Sequence, residues 1–318
     1  MGIDTEIRDL RSLWNGFWAS RVLLTANNFR IFDHLRAGKT AEEAAGLIGA
    51  DPRGTEILLN ALTGLGLLRK KSGKFRNSAM ADRFLATGSP HYHGDIIRHA
   101  DSLWKSWSSL DEAVRTGAPA RKSGDHEAFI RGMHNNAVWR AAGVIGELDL
   151  KGARNALDLG GGPGTYSIEL ARKGISVTLF DLPDTIPISR EIINESGLEG
   201  IDFRAGDFLA DDIGSGYDLI FVSQVLHSLS PAENAFLMCK CAKALRPRGR
   251  IAIQEFLIDA TLTRPLHGAL FSVNMLVNTD GGRCYAPGEI IGWLSAAGFR
   301  KCGRKYLDDT VLVFGSIR

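Results

Sequence analysis

Apolar positions in the first third of the chain recur at helical spacing. Residues Leu13 to Phe32 predict one helix, and Thr40 begins a second with a capping-box arrangement. A third helix begins at Asp51-Pro52 and ends near Gly64. Short alternating segments on either side of a Lys71-Ser72-Gly73 turn then predict a small hairpin. The pattern therefore predicts a helical unit that closes with a hairpin.

The helical pattern continues from Tyr92 to Leu148, with a break at Gly117-Ala118-Pro119 and Ser123-Gly124. We place the domain boundary in that break, with domains over residues 1–118 and 119–318. Beyond it, short apolar runs alternate with helical patterns, which predicts an α/β domain with a parallel sheet. The predicted strands are Asn155–Leu159, Val177–Phe180, Ile201–Arg204, Asp218–Ser223 and Arg250–Glu255, with helices near Thr165, Ile186 and Ala232 and a closing helix Pro287–Ala297 followed by strands Arg300–Tyr306 and Thr310–Gly315.

Composition narrows the class of protein. The chain has 318 residues, of which 44% are hydrophobic and 23% charged, as expected of two globular domains. A net charge of +2 indicates neither nucleic acid nor an anionic membrane as a partner. No apolar run approaches the roughly 20 residues of a spanning helix, and the first residues lack a signal-type core. We therefore expect a cytoplasmic protein.

Helix, helix and hairpin in this order are typical of a winged-helix unit, which often binds DNA. The helix in the recognition position presents Arg53, Glu56, Asn60 and Thr63, few groups for reading a groove. Basic residues of the hairpin, from Arg69 to Lys74, could contact phosphates. A DNA-binding regulator remains an alternative, although the pattern disfavours nucleic acid.

Cysteine and histidine positions do not predict a metal site. Cys239 and Cys241 lie two residues apart on a predicted helix and so face different directions. His91, His93 and His99 have no acidic or cysteine partner at a ligand spacing. We expect free thiols and no metal.

A glycine-rich turn after the first strand of the α/β domain carries the strongest functional signal. Glycines at 160, 162 and 164 have the Gly-x-Gly-x-Gly spacing typical of S-adenosylmethionine sites, whereas Thr165 stands where a dinucleotide fingerprint has its third glycine. The next strand ends on Asp181, at about the 20-residue spacing of an acid that accepts bonds from ribose hydroxyls. The pair predicts a nucleoside cofactor.

These features together resemble the small-molecule O-methyltransferases that use S-adenosylmethionine, of the plant caffeic-acid and bacterial polyketide or hydroxyindole type. The likeness covers nearly the whole chain. It implies an N-terminal winged-helix dimerisation domain, a Rossmann-like catalytic domain, a homodimer and a hydroxylated small-molecule acceptor. The motifs that carry it are Asp158–Gly164, Asp181-Leu182-Pro183, Gly206-Asp207-Phe208, Val225-Leu226-His227, Glu255 and Gly281-Gly282-Arg283.

The resemblance also implies roles for individual residues. It makes Asp181 the ribose ligand and Asp207 with Phe208 the adenine contacts, although an aspartate after glycine is also a common turn former. His227 is similar to the family's general base, with Glu255 to hold its imidazole; a histidine at a strand end is otherwise a structural hydrogen bonder. The full set of predicted cofactor-binding residues is Asp158, Gly160, Gly162, Asp181, Asp207, Phe208 and Ser223.

Two departures from the family pattern leave an alternative open. Ser228 and Leu229 follow His227 where the family has aspartate and tryptophan, and Cys284 stands in place of a second glutamate. With one flanking carboxylate the histidine gains less help as a base. Methyl transfer with a weakened base is our preferred interpretation, and non-methyl chemistry such as decarboxylation, hydroxylation or a pericyclic step is the alternative.

The resemblance places the methyl acceptor among apolar side chains. Phe129 and Met133 would line the pocket from one helix, and Met275 and Thr279 from the segment before Gly281. Such a lining suits an aromatic or polyketide-like alcohol. Each apolar residue could equally belong to the core of its domain. His267 and Asn274 are polar candidates in the same region whose orientation the sequence does not give.

Overall fold

The computed structural model describes residues 3–119 and 124–318. Internal contacts divide the chain into two units, Met1–Ser102 and Leu103–Arg318. This division falls ahead of the boundary that the sequence suggested at residues 118 and 119, which stays a prediction. Part of the predicted break, at Ser123, lies outside the described residues.

The first unit is helical with one hairpin. Its core is a cluster in which Phe32, Leu59, Leu62 and Phe75 are buried. The capping box predicted at Thr40 and the helix start predicted at Asp51-Pro52 are confirmed. The elements are α1 Ile3–Asn15, α2 Phe17–Asn28, α3 Ile31–His34, α4 Ala41–Ile48, α5 Pro52–Gly64, β1 Leu68–Lys71, β2 Lys74–Asn77, α6 Ala79–Phe84 and the start of α7 Gly94–Trp107.

The prediction of one helix from Leu13 to Phe32 was wrong, because the helix is interrupted twice within that range, at Gly16 and again after Asn28. The second interruption lies next to Arg30. Arg30 adopts a left-handed backbone with φ of 50°. Its side chain bonds to Asp33 at 2.9 Å and to Thr87 at 3.2 Å. The apolar spacing did not reveal this stop, since these partners hold a conformation that no glycine or proline marks.

The second unit carries a seven-stranded sheet covered by helices. Predicted strands and helices are confirmed, most with shifts of one residue at their ends, whereas the strand predicted from Arg250 begins at Leu245. The elements are α8 Leu110–Thr116, α9 His126–Ala137, α10 Ala141–Gly146, β3 Asn155–Leu159, α11 Thr165–Arg172, β4 Ser176–Asp181, α12 Ile186–Glu195, β5 Ile201–Ala205, β6 Tyr217–Ser223, a short 3₁₀ helix Leu226–Ser228, α13 Pro231–Ala244, β7 Leu245–Phe256, α14 Leu266–Asn278, α15 Pro287–Ala296, β8 Arg300–Leu307 and β9 Thr310–Ser316.

Strand order places a cleft at the carboxyl end of β3. The order is β5-β4-β3-β6-β7-β9-β8, with the first five strands parallel and β9 antiparallel to both β7 and β8. The chain runs outward from β3 in one direction through β4 and β5, and then returns to the other side at β6. Ligands of doubly wound sheets bind at such a switch point. The sheet is therefore mixed, with the parallel part forming the cleft.

None of the helices that the structure describes is long and apolar enough to cross a bilayer. The cytoplasmic location stays a prediction.

Candidate active site

The glycine turn after β3 packs against Phe208, which follows β5, and Val225, which follows β6. Gly160 has φ of 68°, and a Cβ there would stand 2.7 Å from Val225 and 3.7 Å from Phe208. Gly162 has φ of 51°, and a Cβ there would meet no atom within 4 Å. The backbone at 162 therefore borders open space, where a ligand can approach it closely.

Asp181 holds this turn from the end of β4. Its Oδ2 accepts the Gly162 N–H at 2.7 Å, and its Oδ1 accepts the Leu182 N–H at 2.7 Å. A carboxylate has about four acceptor positions, so capacity for hydroxyl donors remains. The open turn and its acid fit a nucleoside cofactor.

Asp158 lies beneath the turn, with 1% of its surface exposed. The Ser167 hydroxyl donates to its Oδ2 at 2.6 Å. Burial, opposed in part by this hydrogen bond, raises the pKa of Asp158 to about 7. The geometry gives Asp158 a positioning role, and direct contact with a cofactor stays a prediction. Ser189, which the sequence did not single out, supports the same turn by donating to the Gly162 carbonyl at 2.5 Å.

Asp207 and Phe208 follow β5 on the same side of the cleft. The Asp207 Oδ1 accepts the Leu209 N–H at 2.8 Å, the bond of a turn-forming aspartate. Among the described residues its Oδ2 has no bonding partner. Phe208 is the aromatic side chain nearest Gly160. Phe208 adjoins the glycine turn, and the adenine contacts of the two residues stay a prediction.

Ser223 ends β6 beside the turn. Its hydroxyl donates to the Gln254 Oε1 at 2.9 Å, across the β6–β7 pair. This bond ties two parallel strands at the edge of the cleft, and a contact to cofactor stays a prediction.

His227 and Glu255 form a buried pair. The His227 Nδ1 lies 2.8 Å from the Glu255 Oε2, and their side chains are 12% and 3% exposed. The Glu255 Oε1 accepts the backbone N–H of Leu226 at 2.7 Å and of His227 at 3.4 Å. Both carboxylate oxygens thus accept hydrogen bonds from the segment that carries the histidine. Since a carboxylate only accepts, Nδ1 carries the proton and Nε2 has the lone pair.

Two phenylalanines surround the imidazole, and the sequence analysis named neither. The Phe271 ring centroid lies 4.9 Å from that of His227, edge to face, and the Phe256 centroid lies at 5.6 Å. The two phenylalanine rings are 4.1 Å apart. Phe256 follows the predicted Glu255 directly, so its position was available as a signal. Phe271 comes from α14, and only the fold brings it to the histidine.

The departures from the family pattern fill structural positions. Cys284 is buried beside Ser272, whose hydroxyl accepts the Cys284 N–H at 3.1 Å. Burial raises the pKa of its thiol to about 11, so the side chain stays neutral. The Ser228 hydroxyl donates to the Val225 carbonyl at 2.7 Å, and Leu229 is buried. None of the three supplies a second charge to the histidine.

The paired glycines that precede Cys284 allow close packing. A side chain at Gly282 would run into the His227 carbonyl, and one at Gly281 would stand 2.9 Å from the Ser230 Cβ. The Gly281-Gly282 segment therefore packs directly on the segment that carries the imidazole.

The predicted acceptor residues lie on α9, on α14 and at the C-terminal end of α14. Phe129 lies on α9 with 39% exposure, and Met133 lies one turn further along. Met275 is buried on α14. The Thr279 hydroxyl donates to the Met275 carbonyl at 2.8 Å and accepts the Gly282 N–H at 3.0 Å, which terminates α14. Their contact with an acceptor stays a prediction.

Other features of the described residues do not compete with this site. A cavity of about 950 Å³ lies between the Asp259–Arg264 loop, α15 and β8, and none of the predicted site residues lines it. Within the described ranges, no three His, Cys, Asp or Glu side chains are grouped as a metal ion would need. The cysteines are free, as predicted.

Comparison with known proteins identifies the family. An O-methyltransferase domain model matches residues 108–300, and an O-methyltransferase dimerisation domain model matches residues 12–87. The chain belongs to the O-methyltransferase family. The family predicted from the glycine turn, the His227 segment and their companions is thereby confirmed, together with the α/β catalytic fold.

Individual relatives of this methyltransferase agree over nearly their full length. It is 36% identical over 305 residues to the 3-hydroxy-5-methyl-1-naphthoate 3-O-methyltransferase of Streptomyces sahachiroi, covering 91% of this chain and 88% of that one. It is 34% identical to the tetracenomycin polyketide synthesis 8-O-methyltransferase of Streptomyces glaucescens, covering 92% and 91%. Human N-acetylserotonin methyltransferase in complex with S-adenosylmethionine matches with a TM-score of 0.89 at 28% identity, covering 100% and 99%. The methyltransferase uses S-adenosylmethionine and acts on a small molecule.

Proposed function

We propose that this methyltransferase methylates a hydroxyl of an aromatic or polyketide-like small molecule, with His227 as the general base. The His227–Glu255 pair carries the proposal. Glu255 accepts a hydrogen bond from the His227 Nδ1–H, so the Nε2 lone pair is available for a substrate hydroxyl. Relatives that act on a naphthoate and in tetracenomycin synthesis support an aromatic acceptor.

S-adenosylmethionine, when bound, supplies an electrophilic methyl group. The chain contributes a base and its support. His227 Nε2 accepts the hydroxyl proton as the oxygen becomes nucleophilic, and Glu255 stabilises the resulting imidazolium. The pKa of a phenol is about 10 and that of an imidazole is about 6.5, so proton transfer to the imidazole is favourable only while the oxygen is forming its new bond. Phe256 and Phe271 limit the access of water to the imidazole.

Cofactor binding is proposed for the residues around the glycine turn. Gly160 and Gly162 border the cofactor, and Phe208 covers the adenine face. Asp181 accepts hydrogen bonds from the ribose hydroxyls, and Asp207 accepts one from the adenine amino group. Titration calorimetry with S-adenosylmethionine, S-adenosylhomocysteine and NAD tests this. Micromolar binding of the first two without NAD is expected; binding of NAD alone would overturn it.

A substitution tests the base. His227→Ala should lower turnover by about a hundredfold or more, because general base catalysis is typically worth that much. His34→Ala is the control, since His34 lies on α3 of the first unit and is none of the proposed site residues. S-adenosylhomocysteine release is the readout. A loss of less than about fivefold in the His227 variant would remove this residue from the mechanism.

The same assay separates methyl transfer from the non-methyl alternative. Methyl transfer releases one S-adenosylhomocysteine for each product molecule, whereas chemistry that only retains the cofactor releases none. Because the Cys284 thiol is neutral, its charge favours neither methyl transfer nor the non-methyl alternative. No observation favours the DNA-binding alternative: Lys70 of the hairpin bonds to Asn60 at 2.9 Å and lies 3.6 Å from Glu56, both on the helix that would read bases.

We propose a homodimer formed through the first unit. Helix α1 leaves apolar side chains exposed, among them Leu10 at 53%, Leu13 at 79% and Trp14 at 51%. A stripe of this kind on one helix is typical of an interface. Sedimentation should give a dimer, and the pair Leu10→Lys with Leu13→Lys should shift it to monomer. A wild-type monomer at micromolar concentration would refute the proposal.

A further inference from the structure

The turn that carries His227 is short, and the chain enters it through a strained backbone. Leu226–Ser228 form a single 3₁₀ turn, whose internal hydrogen bonds have poorer geometry than those of an α-helix. Gln224, two residues ahead of it, has φ of 55°, an angle that a residue with a side chain adopts only when its surroundings hold it there. The turn therefore depends on groups outside it to keep the imidazole in one place.

Two other elements hold this turn. Glu255 accepts the backbone N–H groups of Leu226 and His227. The Asn234 Nδ2, near the start of α13, donates to the Leu226 carbonyl at 3.0 Å and to the Leu229 carbonyl at 3.4 Å. Carbonyl oxygens only accept, so the amide nitrogen and not the amide oxygen faces them. One carboxamide thus bridges backbone carbonyls on either side of the histidine.

The Asn234 side chain is fully buried, and its oxygen is unpaired. Its Oδ1 has no hydrogen-bond partner within the described residues. The two carbonyls have other donors, because the Leu229 N–H donates to the Leu226 carbonyl at 3.1 Å and the Tyr285 hydroxyl donates to the Leu229 carbonyl at 2.5 Å. For folding alone, a leucine of similar shape would serve at least as well, since it leaves no buried polar atom unpaired.

We propose that Asn234 is a positioning residue for the base. Glu255 sets the tautomer of the imidazole, whereas Asn234 fixes the turn from which the ring extends, so that Nε2 keeps one direction. This rests on the proposed function, in which His227 is the general base. Precise placement matters because a displacement of about 1 Å in a reacting group can lower the rate by about a hundredfold.

The substitution Asn234→Leu tests this, because it keeps the shape of the side chain and removes both donated bonds. Turnover should fall about fivefold or more, while the affinity for S-adenosylhomocysteine stays within about twofold. The urea midpoint of unfolding should equal that of the wild type or exceed it, since the unpaired oxygen is gone. S-adenosylhomocysteine release with a panel of hydroxynaphthoates as acceptors gives kcat and KM, and the loss should fall on kcat.

The matched control is Asn155→Leu. Asn155, at the start of β3, donates to the Gly216 carbonyl at 3.0 Å and accepts the Asp218 N–H at 2.9 Å. Both of its polar groups are paired, so the control should unfold at a lower urea concentration and keep turnover within about twofold. The opposite responses of the two variants separate positioning from packing.

A double variant shows whether Asn234 acts through His227. In His227→Ala the turn carries no base, so the addition of Asn234→Leu should change the remaining turnover by less than about twofold. An equal loss in both backgrounds would show that Asn234 acts elsewhere and would overturn the inference. Wild-type turnover in Asn234→Leu would overturn it as well.

A measurement without turnover keeps this inference apart from the proposed function. In protein with isotope-labelled histidine and bound S-adenosylhomocysteine, nuclear magnetic resonance reports which ring nitrogen of His227 carries the proton, and the signal is assigned by its loss in His227→Ala. Wild type should carry the proton on Nδ1, and Asn234→Leu should exchange that proton with water faster. Unchanged exchange would overturn the inference. Faster exchange in Asn234→Leu, together with wild-type turnover in His227→Ala, would sustain the positioning of the ring and refute the general base.

Discussion

Replacement of Glu255 by glutamine tests the proposed mechanism most directly. Glu255 is 2% exposed and accepts bonds from three donors, two backbone N–H groups and the His227 Nδ1–H. Glutamine has the same size but only one acceptor oxygen. If that oxygen stays on the backbone donors, the new NH₂ group faces Nδ1 and forces the imidazole proton onto Nε2. The base then has no lone pair toward the substrate.

The expected loss follows from this bond. A hydrogen bond to a charged group contributes about 1.5–3 kcal/mol, and each 1.4 kcal/mol is a factor of ten in rate. Turnover should therefore fall by roughly ten- to a hundredfold. The wrong tautomer adds to this, and in the serine protease triad the corresponding change costs about 10⁴-fold. We therefore expect the turnover of Glu255→Gln to be at least about tenfold below that of the wild type.

The assay is S-adenosylhomocysteine release across pH, with thermal unfolding to check the fold. Glu233→Gln is the matched control, because Glu233 belongs to the capping box of α13 and glutamine also serves there. The control should keep turnover within about twofold. A Glu255→Gln enzyme with wild-type turnover and an unchanged pH profile would refute the assignment of His227 and Glu255 as base and support.

Three further predictions concern the cofactor turn and its surroundings. Gly162→Ala should weaken S-adenosylmethionine binding and lower the free energy of unfolding by about 1 kcal/mol, whereas Gly164→Ala should mainly lower stability, because its Cβ would stand 2.5 Å from a side-chain carbon. Calorimetry measures the effect on binding, and chemical unfolding measures the effect on stability. Equal effects of the two substitutions would count against open space for a ligand at Gly162. Cys284→Ala should keep turnover within about threefold, and Cys284→Glu should lower the melting temperature by placing a second carboxylate in a buried site; higher turnover in Cys284→Glu would contradict this. Burial raises the pKa of Asp158 to about 7, above its unfolded value, so the folded state binds the extra proton and stability should fall as pH rises from about 4 to about 7. Asp158→Asn should flatten that decline by up to about 4 kcal/mol in urea unfolding, and a parallel decline in both proteins would refute the assignment.

Sequence patterns determined most of the catalytic fold. Glycines at 160, 162 and 164 mark positive backbone angles that other residues resist, so the turn was readable without coordinates. The strands were predictable because buried strands of a parallel sheet are continuous apolar runs. The capping box at Thr40 was predictable for a similar reason, since its partners lie within four residues.

Tertiary structure decided what depends on distant partners. The bend at Arg30 rests on a contact with Thr87, and the aromatic wall of the imidazole rests on Phe271, which is far from His227 in the chain. Asn274 was visible as a polar residue, but only the fold brings the Trp107 Nε1–H within 2.9 Å of its side-chain oxygen. Local patterns fix backbone conformation through nearby sterics and hydrogen bonds. The direction of a side-chain donor depends on groups that only folding brings within hydrogen-bond distance.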